Sequence, residues 1–366
     1  MGKRGGVFFL IAALIMTGVI WGNPITRVQS AFFPDIPSIR VSQSLAAIEL
    51  TVGELQLMAH VNAIAQPRYT PSQKESTRHY ITDQLTRYGL EWHEQPYNHP
   101  ETGVEAAGGV NIVATLPGSD PTKGSFVLGA HYDSIENSPG ADDNASAIAA
   151  LLETARLLAP LMTTDRKTPD RMTPDRMTDN QTVARLPFPH TLKLVFFDQE
   201  ERQPDGSGLL GSLAFTDEPT NITAVEGAVI LDMIGYACRT PGCQQYPQGL
   251  PLQNLPDTGD FLAVIGLSDH TDLLGAFMGS AQNTWPLVMS LPIPKATLSL
   301  IPDVARSDHA PFWNKNIPAA FVTDTANFRN ENYHTERDTP ETLDGSFFRG
   351  SAQHVVNAIT ALLSQP

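Results

Sequence analysis

Several short apolar runs in this chain stop on a residue that can hold a proton or a cation. Phe126 to Ala130 leads into His131-Tyr132-Asp133, Thr191 to Phe197 into Asp198-Gln199-Glu200-Glu201, and Ala228 to Leu231 into Asp232. Runs this short and this apolar read as strands buried on both faces. Ile112 to Leu116, Phe261 to Leu267 and Ala319 to Val322 have the same character. Between and around them, helical spacing recurs over Leu45 to Ala65, Lys74 to Leu90, Asn144 to Leu158 and Gly350 to Leu363. In the third of these, Leu151, Leu152, Ala155 and Leu158 share one face. Strands alternating with helices predict an α/β fold: a single three-layer domain over 45–366, with a mixed, largely parallel sheet flanked by helices. In open sheets of that kind, ligands bind beyond the carboxyl ends of the strands, where these polar residues fall.

The ends and the middle of the chain carry other signals. Lys3 and Arg4 precede a charge-free apolar run from Val7 to Trp21. That is the pattern of a secretory signal, and an uncleaved anchor would look similar. Residues 1–30 are therefore expected to be a signal peptide or membrane anchor, and 31–44, with Pro34 and Pro37, a stem. Both options place the protein outside the cytoplasm: secreted, periplasmic or membrane-anchored. In that setting Cys238 and Cys243, the only two cysteines, are expected to pair. The segment Thr168-Pro169-Asp170-Arg171-Met172 repeats as Thr173-Pro174-Asp175-Arg176-Met177. This polar tract has no apolar face to bury, so 162–180 is expected to be a disordered low-complexity insertion. A formal net charge of -15 argues against nucleic acid as a partner, since phosphate binding needs clustered Lys and Arg.

Convergence of these groups is more informative than any one of them. Zinc takes about four ligands, imidazole nitrogen and carboxylate oxygen among them. Two ions sharing one carboxylate would use two His and three Asp or Glu. His131 can ligate through one ring nitrogen while Asp133, two residues on, accepts the other N–H and fixes the tautomer. Glu200 and Glu201 are adjacent, so one can bind a cation while its neighbour stays free as a base. Gly140-Ala141-Asp142-Asp143-Asn144 opens a helix, and Tyr333-His334-Thr335 supplies a second imidazole.

In this order, these residues resemble the metallopeptidase family 28, the leucyl aminopeptidase type with two co-catalytic zincs. The resemblance runs through Gly129 to Ser134, Pro139 to Ala145, Glu200-Glu201 with Gly208 to Ser212, Leu231-Asp232-Met233, Ser307-Asp308-His309, and His334-Thr335 with Asp338-Thr339. It implies a zinc-exopeptidase (phosphorylase/hydrolase-like) fold and two Zn2+ ions. The first would take His131, Asp143 and Asp232; the second would take Asp143, Glu201 and His334. Glu200 would be the general base and acid, and Asp133 would support His131. Asp142 is left without a role. The stretch between Glu201 and Gly208 is longer than in compact members, and Val304 stands where some members have a tyrosine. Ser268-Asp269-His270 matches nothing in the family.

The implied function is hydrolysis of amino-terminal residues from peptide substrates. A crowd of carboxylates should favour a substrate ammonium over a second carboxylate. A carboxypeptidase would need a cationic clamp, for which Arg202, Arg306, Arg329 and Arg337 are the candidates. A glutaminyl cyclase-like acyltransferase shares the fold, but such enzymes lack the imidazole that His131 provides.

Overall fold

The computed structural model of the protein describes residues 50–98, 108–162, 188–203, 205–248, 250, 254–280 and 285–366. The expected signal or anchor (1–30), the stem (31–44) and residues 163–180 of the low-complexity tract lie outside these. Helix α1 spans Glu54–Ile64, after Gly53 in extended backbone; of the helix expected over Leu45 to Ala65, residues 45–49 lie outside the described residues. Helix α2, Pro71–Arg87, starts three residues before the expected Lys74. Thr70 and Gln73 form a reciprocal capping box there and Pro71 opens the first turn, which a periodicity count does not register.

One eight-stranded sheet runs in the order β1-β2-β4-β3-β5-β8-β6-β7. Its strands are β1 Glu91–Tyr97, β2 Gly109–Leu116, β3 Ser125–His131, β4 Thr191–Phe197, β5 Val225–Leu231, β6 Phe261–Leu267, β7 Leu287–Ile293 and β8 Ala319–Thr323. Four junctions are parallel: β4–β3, β3–β5, β5–β8 and β6–β7. Three are antiparallel: β1–β2, β2–β4 and β8–β6. The expected mixed α/β sheet is thus present. The two edge strands are the ones that apolar runs do not reveal. β1 is mostly exposed, and β1 and β7 contain Pro96 and Pro292, tolerated at an edge where a ladder N–H is dispensable.

Helices cover both faces. Helix α3, Ala147–Met162, packs with α1, α2 and α7 (Gly345–Leu363) over one face, on Leu128, Leu194, Val229 and Leu231. Helices α4, Leu210–Asp217, and α6, His309–Asn314, cover the other, on Val127, Val195 and Ile230. Helix α5 spans Asp272–Ser280. Neighbouring residues of one strand fall in opposite cores, as the two-residue strand period requires. Helix α3 retains Met162, which the expected insertion boundary had placed outside the core. Cys238 and Cys243 form a disulfide, as expected.

The ladder sets the level of the chemistry. Gly129 lies beside both Val195 and Ile230. Two residues further, His131, Phe197 and Asp232 therefore come out at one height on the same side of the sheet. β3 sits between β4 and β5, the strand order reversing around it, where an open α/β sheet leaves a crevice.

Candidate metal centre

The loop from β3 to α3 carries two of the expected groups and is held by two buried ones. Gly140 adopts φ 59, and a Cβ there would lie 2.2 Å from the Asp143 carbonyl oxygen, so glycine alone fits the turn. Arg68, fully buried, gives its guanidinium to backbone carbonyls of this region: Tyr132 at 2.8 Å, Pro139 at 2.6 Å and Gly140 at 2.9 Å. The Asp338 carboxylate accepts the backbone N–H of Asp142 at 2.9 Å and of Asp143 at 3.0 Å. Neither Arg68 nor the capping role of Asp338 was read from the sequence, since a lone arginine outside the motifs gives no local signal.

The segment after β4 is fixed as firmly. Asp198 pairs with buried Lys74 at 2.6 Å and accepts from Val110 N. Gly211 packs its backbone on Asp198, where a Cβ would lie 2.4 Å from the Asp198 carbonyl oxygen. Asp133 accepts the backbone N–H of Glu200 at 3.1 Å and of Glu201 at 3.2 Å. It also stands 3.4 Å from His131 Nδ1. It thus ties the β3 end to the Glu200-Glu201 turn, beyond the single contact expected of it.

These anchors bring the predicted residues together as two groups. His131, Asp143 and Asp232 each offer a ligand atom, and so do Asp143, Glu201 and His334, with the atoms of each group within 4.8 Å of one another. His131 Nε2 is 3.4 Å from Asp143 Oδ1 and 3.6 Å from Asp232 Oδ1. His334 Nε2 is 3.3 Å from Asp143 Oδ2 and 3.2 Å from Glu201 Oε2. Asp143 belongs to both groups, one oxygen toward each histidine. Glu200 belongs to neither, although its Oε2 lies 3.9 Å from His131 Nε2. Asp142 turns the other way, accepting from Gly235 N at 2.9 Å and Asn330 Nδ2 at 2.8 Å. Ser268-Asp269-His270 follows β6 and does not line the cavity.

Burial and mutual repulsion leave Glu200, Glu201 and Asp308 reluctant to ionise. Burial, reinforced by Asp143 and opposed by His334, lifts Glu201 to about 7. Burial, with Asp232 and Glu201 nearby and His131 opposing, raises Glu200 well above the carboxylate range. Buried Asp308 rises to about 7 as well. Asp143 goes the other way: burial would raise it, but its contacts with His131 and His334 hold it low. His334 climbs to about 10, burial being outweighed by Asp143 and Glu201. His131 Nε2 and Glu201 Oε1 are buried without a hydrogen-bond partner. A site with excess negative charge and unpartnered imidazole nitrogen binds protons, or exchanges them for a cation. The donor set, nitrogen and carboxylate oxygen, suits zinc.

Asp143, Glu200, Glu201 and Asp232 face a cavity of about 100 Å³. Its opposite wall is apolar, formed by Phe261, Ala263 and Ile265 of β6, Met289 and Leu291 of β7, and Leu250 and Leu255. Arg306 and Tyr333 also line it.

Comparison with known proteins places this site in context. The model of the family described as Peptidase family M28 matches residues 111–254 and 293–359, which include every residue of the two groups. The uncharacterized protein YfbL of Escherichia coli (strain K12) is 33% identical over 265 residues, covering 69% of this chain and 70% of that protein. Leucine aminopeptidase 1 of Trichophyton equinum is 26% identical over 262 residues, 69% of this chain but only 57% of that protein. This chain therefore spans little more than half the length of the fungal enzyme. The solved aminopeptidase from Aneurinibacillus sp. strain AM-1 superposes with a TM-score of 0.59 at 16% identity, over 84% of this chain and 93% of that one, a likeness of fold.

Proposed function

We propose, from the premise that this chain belongs to peptidase family M28, that it is a two-zinc aminopeptidase releasing apolar residues from the amino ends of peptides. Membership makes it a peptide hydrolase; the metal, its count and the end attacked are our reading. The observation that carries the reading is Asp143, whose two oxygens face two histidines, each with a further carboxylate beside it. His131, Asp143 and Asp232 would hold one ion, and Asp143, Glu201 and His334 the other. Zinc in those places supplies Lewis acidity and a nucleophile at neutral pH.

The chain's own residues do the rest. Glu200 is in neither group yet faces the cavity, so its carboxylate takes the proton of the attacking water and returns it to the leaving amine. Asp133 keeps Glu200 and Glu201 in place through their backbone N–H groups. The carboxylates at the floor favour a substrate ammonium, and the apolar wall receives the side chain of the residue removed. His131 completes the first group, which favours a peptidase over the cyclase reading. The test is a dipeptide with and without an N-acetyl group: acetylation should abolish cleavage. Equal rates for the two forms would sink the aminopeptidase assignment.

A further inference from the structure

We propose that Arg306 receives the α-carboxylate of the substrate, so that dipeptides are preferred over longer chains. This rests on the aminopeptidase reading and extends it. Among the described residues lining the cavity, Arg306 is the one Arg or Lys. Its guanidinium is held in place. Nη1 donates to Asp303 Oδ1 at 3.1 Å and to Asn327 Oδ1 at 3.2 Å, and Nη2 donates to Tyr333 Oη at 3.1 Å. Those bonds use three of its five N–H groups. The Nε–H and one Nη2–H remain for a ligand, and a carboxylate is the group that takes two such donors best.

The position fits a dipeptide. The Tyr333 ring stacks on the His334 ring with centroids 3.7 Å apart, and His334 is in the metal-binding group. Arg306, at the hydroxyl end of Tyr333, therefore sits one aromatic ring from the floor. A dipeptide spans about 7 Å from end to end, so both of its termini can meet residues of the one cavity that Arg306 and the carboxylates line. The Asp143, Glu200, Glu201 and Asp232 carboxylates and the Arg306 guanidinium thus line one cavity, which offers a partner for each charged end of a zwitterion. Asp303 does not cancel this. The Asp303 and Arg306 side chains are 35% and 45% exposed, so water screens their attraction and the contact mainly orients the guanidinium.

Four substrates test the proposal: leucyl-glycine, leucyl-glycinamide, leucyl-glycyl-glycine and N-acetyl-leucyl-glycine. The free dipeptide should exceed its amide in kcat/KM by roughly tenfold or more, the range for a hydrogen bond to a charged group, with most of the difference in KM. The tripeptide should fall toward the amide. Arg306→Met should bring the dipeptide-to-amide ratio close to one, and Arg306→Lys should give an intermediate value. A wild-type ratio near one overturns the proposal without recourse to any variant. Cleavage of the acetylated dipeptide would sink the aminopeptidase reading instead. A blocked acetyl form with a ratio near one would sink Arg306 alone.

Discussion

Glu200 and Leu250 face the same cavity, yet their positions are fixed by different means. Glu200 follows a parallel strand whose neighbours set its height, and Asp133 holds its backbone N–H. Leu250 belongs to the long connection between β5 and β6. That connection is fastened by the Cys238–Cys243 disulfide, by the Cys238–Gly259 bridge and by Gln244, which accepts from Arg329 Nε at 2.9 Å. The chemical groups are set by strand ends and the turns anchored to them, whereas the part of the wall formed by Leu250 and Leu255 rests on a few fasteners. The portion of the wall on the connection can vary without disturbing the groups held at the strand ends.

The sharpest way to separate the two is to damage the floor without emptying it. Glu200→Gln removes a proton carrier that belongs to neither metal-binding group, so turnover should fall roughly a hundredfold to ten-thousandfold while zinc content stays at the wild-type level. Activity within threefold of wild type would reject the role. A change in the wall should act on choice of substrate instead. Ala263 is the small residue between Phe261 and Ile265 on β6. Ala263→Leu should reduce the preference for leucyl over alanyl substrates by about tenfold or more, with hydrolysis of the alanyl substrate retained. An unchanged preference would mean that the side chain of the departing residue binds elsewhere.

The smallest effect is expected at the fasteners. The disulfide closes a short loop, with a sequence separation of 5. Replacing both cysteines by serine should therefore cost at most the ~2–4 kcal/mol typical of disulfides. KM should rise by a small factor, with zinc content and kcat nearly unchanged. Loss of zinc from the double serine variant would show that floor and wall are one unit.

The same division decides what can be read from the sequence. His131, Asp232 and the Glu200-Glu201 pair are legible because each closely follows a largely apolar run, and the parallel β4–β3–β5 trio aligns the ends of those runs. The roles of Asp142 and Asp143 are not separable that way: both are buried beside each other, and the fold of the turn decides which carboxylate faces the histidines. Arg68, in the connection between α1 and α2, and Lys74, on α2, act through carbonyls and a carboxylate more than sixty residues away in sequence. No local pattern points to them. Strand β1 lacks an apolar run because an edge strand has one ladder and a wet face, and in β7 the apolar run is interrupted by Ser290 and Pro292. The connection between β5 and β6 has no period at all, so the part of the wall that Leu250 and Leu255 form emerges only from tertiary contacts.

The central claim is that Asp143 is shared by two cations. Metal content of purified protein, measured by elemental mass spectrometry on the wild type, Asp232→Asn and Asp143→Ala, tests it most directly. Asp143 would be a ligand of both ions, so its removal would take a ligand from each group. Two zincs per chain in the wild type, one in Asp232→Asn and none in Asp143→Ala are therefore predicted. Two zincs retained by Asp143→Ala would contradict the account.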